Sequence, residues 1–339
     1  MNLRLLSTAG SVLVATALLA APAVADVAVT DLGFLPGADR GIATAVNAHG
    51  AAAGSAGAGD FSWQHAARWN TDGTITDLGT LPGGTVSGAG GINDAGVVVG
   101  SSASGDDNRQ HPVVWGANAA ITALGLPPAY GDSWAEDINN DGTIVGYGFN
   151  GAAGFTRGLR WDAGGAVSEL PPLPGGYKIS MGAAVSADGT IVGTSSGGGL
   201  PVRATRWNTD GTVTDLGILP GGIDSRANGI NIHGQVVGYA RGADAVTRAV
   251  RWDADGTITV IGSTVSWAND ISDTGVVIGV SQASTGAYQP IAWNPAGTTT
   301  SLAMLPGDDT GTAWAINGSG AAVGQSGYQY RPVRWHGLG

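Results

Sequence analysis

Carboxylates, amides and aromatic rings are what this 339-residue sequence offers for chemistry, because several other reactive groups are scarce. It has no cysteine, hence no thiol nucleophile, no disulfide framework and no lipoprotein acylation site. Its five histidines, His49, His65, His111, His233 and His336, are scattered; they form no zinc-type spacing and suggest no catalytic triad. Two glutamates are present, Glu136 and Glu169, so a carboxylate pair for glycoside hydrolysis would draw mostly on Asp. Glu136 with Asp132 is the one local candidate. Asp137-x-Asn139-x-Asp141-Gly142 has the opening of an EF-hand calcium loop. Its twelfth position is Gly148 rather than Glu, and equivalent turns elsewhere carry Ala or Gly first, so the turn folds without metal. No cofactor and no metal is expected.

The aromatic residues are more informative. Seven of the eleven tryptophans fall at a fixed period: Trp69, Trp115, Trp161, Trp207, Trp252, Trp293 and Trp335. Four do not: Trp63, Trp134, Trp267 and Trp314. A residue that a repeating scaffold demands recurs in every unit, so the four extras are the better functional candidates. Trp134 and Trp267 occupy equivalent positions, and Trp314 lies two residues further along its unit. Exposed rings beside carboxylates and amides suit sugar faces and hydroxyls. Trp63, Trp134, Trp267 and Trp314, with Asp132 and Glu136, therefore make a candidate ligand-binding set, and a cell-surface or extracellular glycan is the leading partner. Polar and aromatic residues in nearby loops, among them Phe61, Asn108, Tyr288, Tyr328 and Tyr330, could add to it. Plugging a channel or packing under loops would equally account for any one of the four tryptophans.

The repeat itself specifies the elements that must position these groups. About twenty residues before each periodic Trp stands an Ile or Val followed by Asn or Ser and, three later, Gly, as in Ile92-Asn93-x-x-Gly96 and Ile316-Asn317-x-x-Gly320. Four residues on comes another Gly, from Gly54 to Gly324 in all seven units. These are turn residues between short β-branched runs, and they convert each unit into four strands, A to D. Strand A ends at the Ile or Val, strand B is the Val-Val-Gly type of run, strand C ends at the Trp, and strand D follows an Asn-Thr-Asp-Gly type of turn. The residue three before the Ile or Val is always small, Ala or Gly, as crowding near an axis requires. A ring of His65, His111, Arg157, Arg203, Arg248, Gln289 and Arg331 recurs too, either as a polar collar for an anion or as local pairs with acidic or carbonyl neighbours.

The ends choose between a closed ring and an open solenoid. Val27-Ala28-Val29-Thr30-Asp31-Leu32-Gly33 reads as a strand D with nothing before it, and only four residues follow Trp335. The surplus strand completes the last unit, which predicts an all-β, seven-bladed β-propeller spanning residues 26–339. Residues 1–25 read as a signal peptide, with Arg4, an apolar Gly10–Leu19 stretch and an Ala23-Val24-Ala25 cleavage site. The expectation is a secreted monomer with no transmembrane segment. The net charge of −11 and the single lysine, Lys178, exclude a nucleic-acid partner.

The motif set Asp77-Leu78-Gly79-Thr80-Leu81-Pro82-Gly83-Gly84, Gly91-Ile92-Asn93-Asp94-Ala95-Gly96-Val97-Val98-Val99-Gly100 and His111-Pro112-Val113-Val114-Trp115 resembles the HAF family of bacterial extracellular repeats. The name-giving His-Ala-Phe tripeptide is reduced here to His65-Ala66, with Arg at the His position in four units. The resemblance covers the chain after residue 25 and implies an exported bacterial protein; it lends no catalytic residue. The segment Val260-Ile261-Gly262 lacks the Leu-Pro-Gly-Gly motif and predicts a shorter loop there. The sequence thus supports three functions: a non-catalytic binding propeller, a hydrolase or lyase at the channel mouth, and a purely structural envelope component.

Overall fold

The computed structural model describes residues 27–60, 62–107 and 109–338, so the signal-peptide reading, Phe61 and Asn108 lie outside the described residues. Those residues form 28 strands in seven four-stranded antiparallel sheets, with no helix among them. Each sheet is a blade, and the blades add four strands each in chain order. Blade 1 is β2 (Arg40–Val46), β3 (Ala52–Gly57), β4 (Gln64–Trp69) and β5 (Ile75–Gly79), hydrogen-bonded in that order. The last sheet runs β1 (Val29–Asp31), β28 (Arg331–Trp335), β27 (Ala322–Ser326), β26 (Gly311–Ile316). The strand at the start of the described chain thus completes blade 7 and closes the ring, as the surplus strand predicted: a seven-bladed β-propeller.

Four of the periodic tryptophans hold one blade to the next through an indole hydrogen bond. Trp161 is fully buried, and its indole N–H donates to the Gly125 carbonyl, 36 residues back in the connection from blade 2. Trp69, Trp207 and Trp335 make the corresponding bonds to Gly33, Pro171 and Ala303. A second set of staples uses serines outside the fixed motifs of the repeat. Ser87, Ser180, Ser225 and Ser266, near the start of strand A, accept from a strand C backbone N–H of the preceding blade.

The Asn of each Asn-x-x-Gly turn does more than turn the chain. Asn47 Oδ1 accepts from Ala51 N inside its own turn, while Asn47 Nδ2 donates to the Asn93 carbonyl of blade 2. Asn93, Asn139 and Asn231 reach the next blade in the same way, and Asn317 reaches back to the Asn47 carbonyl across the ring junction. Ser186 and Ser272 stand at the two remaining positions. This girdle marks the lower mouth of the channel; the D-to-A and B-to-C loops form the upper rim.

The inner strands are β2, β6 (Ser87–Ile92), β10 (Tyr130–Ile138), β14 (Ile179–Val185), β18 (Asp224–Ile230), β22 (Ser266–Ile271) and β26. Every one of them carries a β-bulge one residue after its small Ala or Gly. The partner strand makes room for it. A Cβ at Gly54, Gly100, Gly146, Gly193, Gly238, Gly279 or Gly324 would fall 1.9–2.0 Å from a strand A carbonyl oxygen, so only glycine admits the bulge. The second invariant glycine of the repeat therefore shapes the channel wall.

Candidate functional site

The bulge presents one residue per blade to the channel: Thr44, Gly90, Glu136, Ala183, Asn228, Asn269 and Trp314. They form the lower part of a cavity of about 800 Å³ at the upper mouth. Its upper wall rises on one side only, from blades 5, 6 and 7, where Tyr239, Trp267, Tyr288, Trp314, Tyr328 and Tyr330 line it. The rings support each other: Trp267 meets Tyr239 edge-on at 6.4 Å and Tyr288 at 5.5 Å. The Trp314 ring is 38% exposed, with its indole N–H toward Gln325 Oε1 at 3.5 Å. Tyr328 stands out at the rim, 76% exposed. Amides complete the lining. Asn228 and Asn269 donate to the Ala268 and Ala313 carbonyls of the following blade, which fixes their side chains and leaves each Oδ1 free to accept.

Glu136 is the one carboxylate among the lining residues. Burial raises its carboxyl above the ordinary range, against a hydrogen bond from the Tyr147 hydroxyl. The Tyr147 hydroxyl is pushed up to about 12 by burial and by the Glu136 charge, and its ring packs on Trp134 at 5.3 Å.

The structure therefore gathers Trp267, Trp314 and Glu136 around one cavity and leaves three other candidates outside its lining. Trp134 holds the same strand position as Trp267 but packs on Tyr147. Trp63 lies before β4, stacked edge-on against His65 at 5.1 Å and packed on the cluster around Leu35 and Trp69. The exposed Asp132 accepts from Gln110 N of the preceding blade, so the Asp132–Glu136 pair does not assemble in the cavity. Tyr239, Asn228, Asn269 and Gln325 were missed from the sequence. The column that varies between the fixed small residue and the fixed Ile or Val would have pointed to the two asparagines.

Other sequence candidates are engaged within the scaffold. Both oxygens of Asp137 accept backbone N–H groups, from Ile138 and from Val185 of the next blade, and Asn139 Oδ1 accepts from Thr143 N. These oxygens are committed to the protein and do not converge on a cation. Asp270 repeats the arrangement with Ile271 and Ile316. The His/Arg ring pairs locally: His65 with Asp77 at 2.9 Å, His111 with Asp107 at 2.9 Å, Arg203 with Asp215 at 3.6 Å, Arg248 with Asp244 at 2.6 Å, and Arg331 with Asp308 at 2.8 Å. Gly193-Thr194-Ser195-Ser196-Gly197, missed from the sequence, has the spacing of a hydrolase nucleophile elbow. It lies inside β15 (Ile191–Gly197), where the buried Ser195 Oγ accepts from Leu173 N and from Thr205 Oγ1, away from any turn.

Comparison with known proteins returns the fold. No family model and no curated protein matches the sequence. Among solved structures, an oligogalacturonate lyase from Vibrio parahaemolyticus superposes with a TM-score of 0.54 at 10% identity, over 93% of this chain and 94% of that one. A structure from a study of two prolyl endopeptidases gives 0.59 at 15% identity, over 86% of this chain and 46% of that one. TolB from Acinetobacter baumannii gives 0.48 at 17% identity, over 64% and 53%. The chain spans about half the length of that TolB and 40% of a similar puromycin hydrolase. These neighbours are propeller proteins, and the propeller fold is what they share with this chain.

Proposed function

We propose that this protein is an exported, non-catalytic binding propeller of the HAF-repeat type, and that the upper cavity holds a glycan or cell-wall polymer. One observation carries the reading: six aromatic side chains and three amides converge on a single cavity. Aromatic faces cover the apolar faces of a sugar, and fixed amides and hydroxyls select its orientation. Export rests on the sequence features of residues 1–25, and the bacterial origin on the repeat motifs. A glycan array probed with the wild-type chain and with Trp267→Ala and Trp314→Ala tests the binding. Retention of a glycan by the wild type and by a Trp63→Ala control, with loss in the two cavity variants, is the expected result. Binding that survives both cavity substitutions, or an array with no retained glycan, overturns it.

A second reading places chemistry at Glu136, whose raised carboxyl has the character of a general acid. It has no second carboxylate in the cavity lining with which to complete a glycosidase pair. Turnover of a polysaccharide that disappears in Glu136→Gln would establish it, and turnover that persists would remove Glu136 from the reaction.

A further inference from the structure

The shape and charge of this cavity limit what can sit in it. At the lower mouth of the same channel lies a separate pocket of about 240 Å³, lined by the Ile and Val residues that end the inner strands and by the Asn girdle. The two share no lining residue. Between them runs the layer that follows each bulge: Ala45, Gly91, Asp137, Ala184, Gly229, Asp270 and Ala315. Asp137 and Asp270 bridge neighbouring blades there, each bonding its own strand and the next. The upper cavity is a shaft that opens at the rim, and its lining ends at the bulge residues. At its lower level it spans the channel from Trp314 to Gly90 and Ala183, and above that it keeps only the aromatic wall of blades 5 to 7. A chain laid across the rim would touch Tyr328 and Tyr330 without reaching this depth; a chain end pointing down the shaft uses all of it.

The lining also carries no Lys or Arg. Arg40 packs over the Tyr330 ring at 5.2 Å, and Arg226 faces Tyr239 across the β18 ladder with its charge felt at the Tyr239 hydroxyl; both stand beside the upper wall, and the bulge residues at the level of Glu136 include no cation. A uronate seated at this depth would put a second carboxylate beside Glu136 with no lining cation to offset it, and burying an unpaired charge is costly.

We infer that the shaft receives the free end of a saccharide chain, entering head-on along the aromatic wall, and that the seated unit carries no negative charge. The inference rests on the binding reading above and adds the mode of entry and the charge class.

Calorimetric titration with glucose, N-acetylglucosamine, glucosamine and galacturonate oligosaccharides of increasing length separates the two. End-on seating predicts one protein per chain and an affinity that stops rising once the shaft is filled, staying flat within about twofold for longer chains. It also predicts galacturonate binding at least about tenfold weaker than the best other series, a difference of about 1.4 kcal/mol. The variant Ala183→Phe fills the foot of the shaft opposite the aromatic wall and leaves every ring in place. It is expected to abolish binding while its thermal melt stays near that of the wild type. Affinity that keeps growing with length, several proteins per chain, or binding retained in a folded Ala183→Phe would overturn end-on seating and leave the binding reading intact. Galacturonate bound as well as the others would overturn the charge assignment alone. If no series binds, both the inference and the reading beneath it fall.

Discussion

At the lower mouth of the channel, Asn47, Asn93, Asn139, Asn231 and Asn317 repeat one pair of hydrogen bonds from blade to blade. At the upper mouth, three residues earlier on the same strands, Thr44, Gly90, Glu136, Asn228 and Trp314 share no side-chain chemistry. Both sets lie on inner strands of near-identical backbone. The difference lies in what that backbone asks. Below, each turn leaves a carbonyl of the next blade to be satisfied, and an amide that can donate outward while accepting inward is the economical answer. Above, the bulge lifts one residue out of the ladder, so its side chain meets only the channel and is free to differ. Between the two, the order Ala, Gly, Asp, Ala, Gly, Asp, Ala keeps a rhythm of three blades. A Cβ at Gly91 would come within 2.8 Å of Asp137 Cα, and one at Gly229 within 2.9 Å of Asp270 Oδ1, so each carboxylate needs a glycine on the preceding blade.

The largest effect is expected where the scaffold repeats most strictly. Trp161→Ala removes a buried ring and orphans the Gly125 carbonyl, and should cost about 3–5 kcal/mol in denaturant unfolding.

The middle layer predicts an inverted pH dependence. Burial raises Asp137 to about 6 and Asp270 to about 7, both from 3.8. A carboxyl whose pKa is higher folded than unfolded binds more protons in the folded state. Its contribution is therefore fully present below about pH 4 and is lost as pH rises through 6 and 7. The loss is on the order of 3 kcal/mol for Asp137 and 4 kcal/mol for Asp270. Unfolding measured from pH 4 to 8 should show stability falling with pH, and Asp270→Asn should flatten the steeper part of that slope. A slope unchanged in Asp270→Asn would assign the dependence to other groups.

A smaller effect belongs to the girdle. Asn317→Ala cuts the link across the ring junction and leaves the buried Asn47 carbonyl without that donor, for about 1–3 kcal/mol by chemical denaturation. Ser186 and Ser272 show that the ring tolerates a missing link, so the variant should fold. An effect as large as that of Trp161→Ala would mean that closure rests on this one bond.

Much of this was legible in the sequence, and the boundary is physical. Strand ends at the periodic tryptophans, the Asn-x-x-Gly turns and closure through the Val29–Asp31 strand follow from local turn chemistry and from the need to pair an edge, both of which act within one unit. The role of Asn47 as a bridge to blade 2 depends on a neighbour 46 residues away, so its turn role alone was visible. The cavity was harder still. The bulge that aims Asn228 and Asn269 into the channel depends on the room left by Gly238 and Gly279 on the partner strand, which a reading along one strand does not register. Trp134 and Trp267 hold equivalent positions, yet Trp267 lines the cavity and Trp134 packs on Tyr147. Their neighbours across the ladder, Tyr147 and Val280, decide which ring is left for a ligand.

The smallest stability change is expected at Trp314, and its contrast with Trp161 is the sharpest form of the comparison. Both are tryptophans of the same fold, Trp161 on the third strand of blade 3 and Trp314 on the inner strand of blade 7. Trp161 has no exposed surface and a bonded indole; Trp314 is 38% exposed, on a bulge, with a long contact to Gln325. Truncating an exposed ring that the ladder does not hold forfeits little packing, so Trp314→Ala should change unfolding stability by less than about 1 kcal/mol. Glycan retention should nonetheless fall, because the ring forms the part of the wall that reaches the foot of the shaft. Measuring both quantities on one preparation decides whether Trp314 belongs with the scaffold or with the site. A stability loss approaching that of Trp161→Ala with retention unchanged would return the ring to the scaffold and leave Trp267 as the remaining tryptophan of the wall.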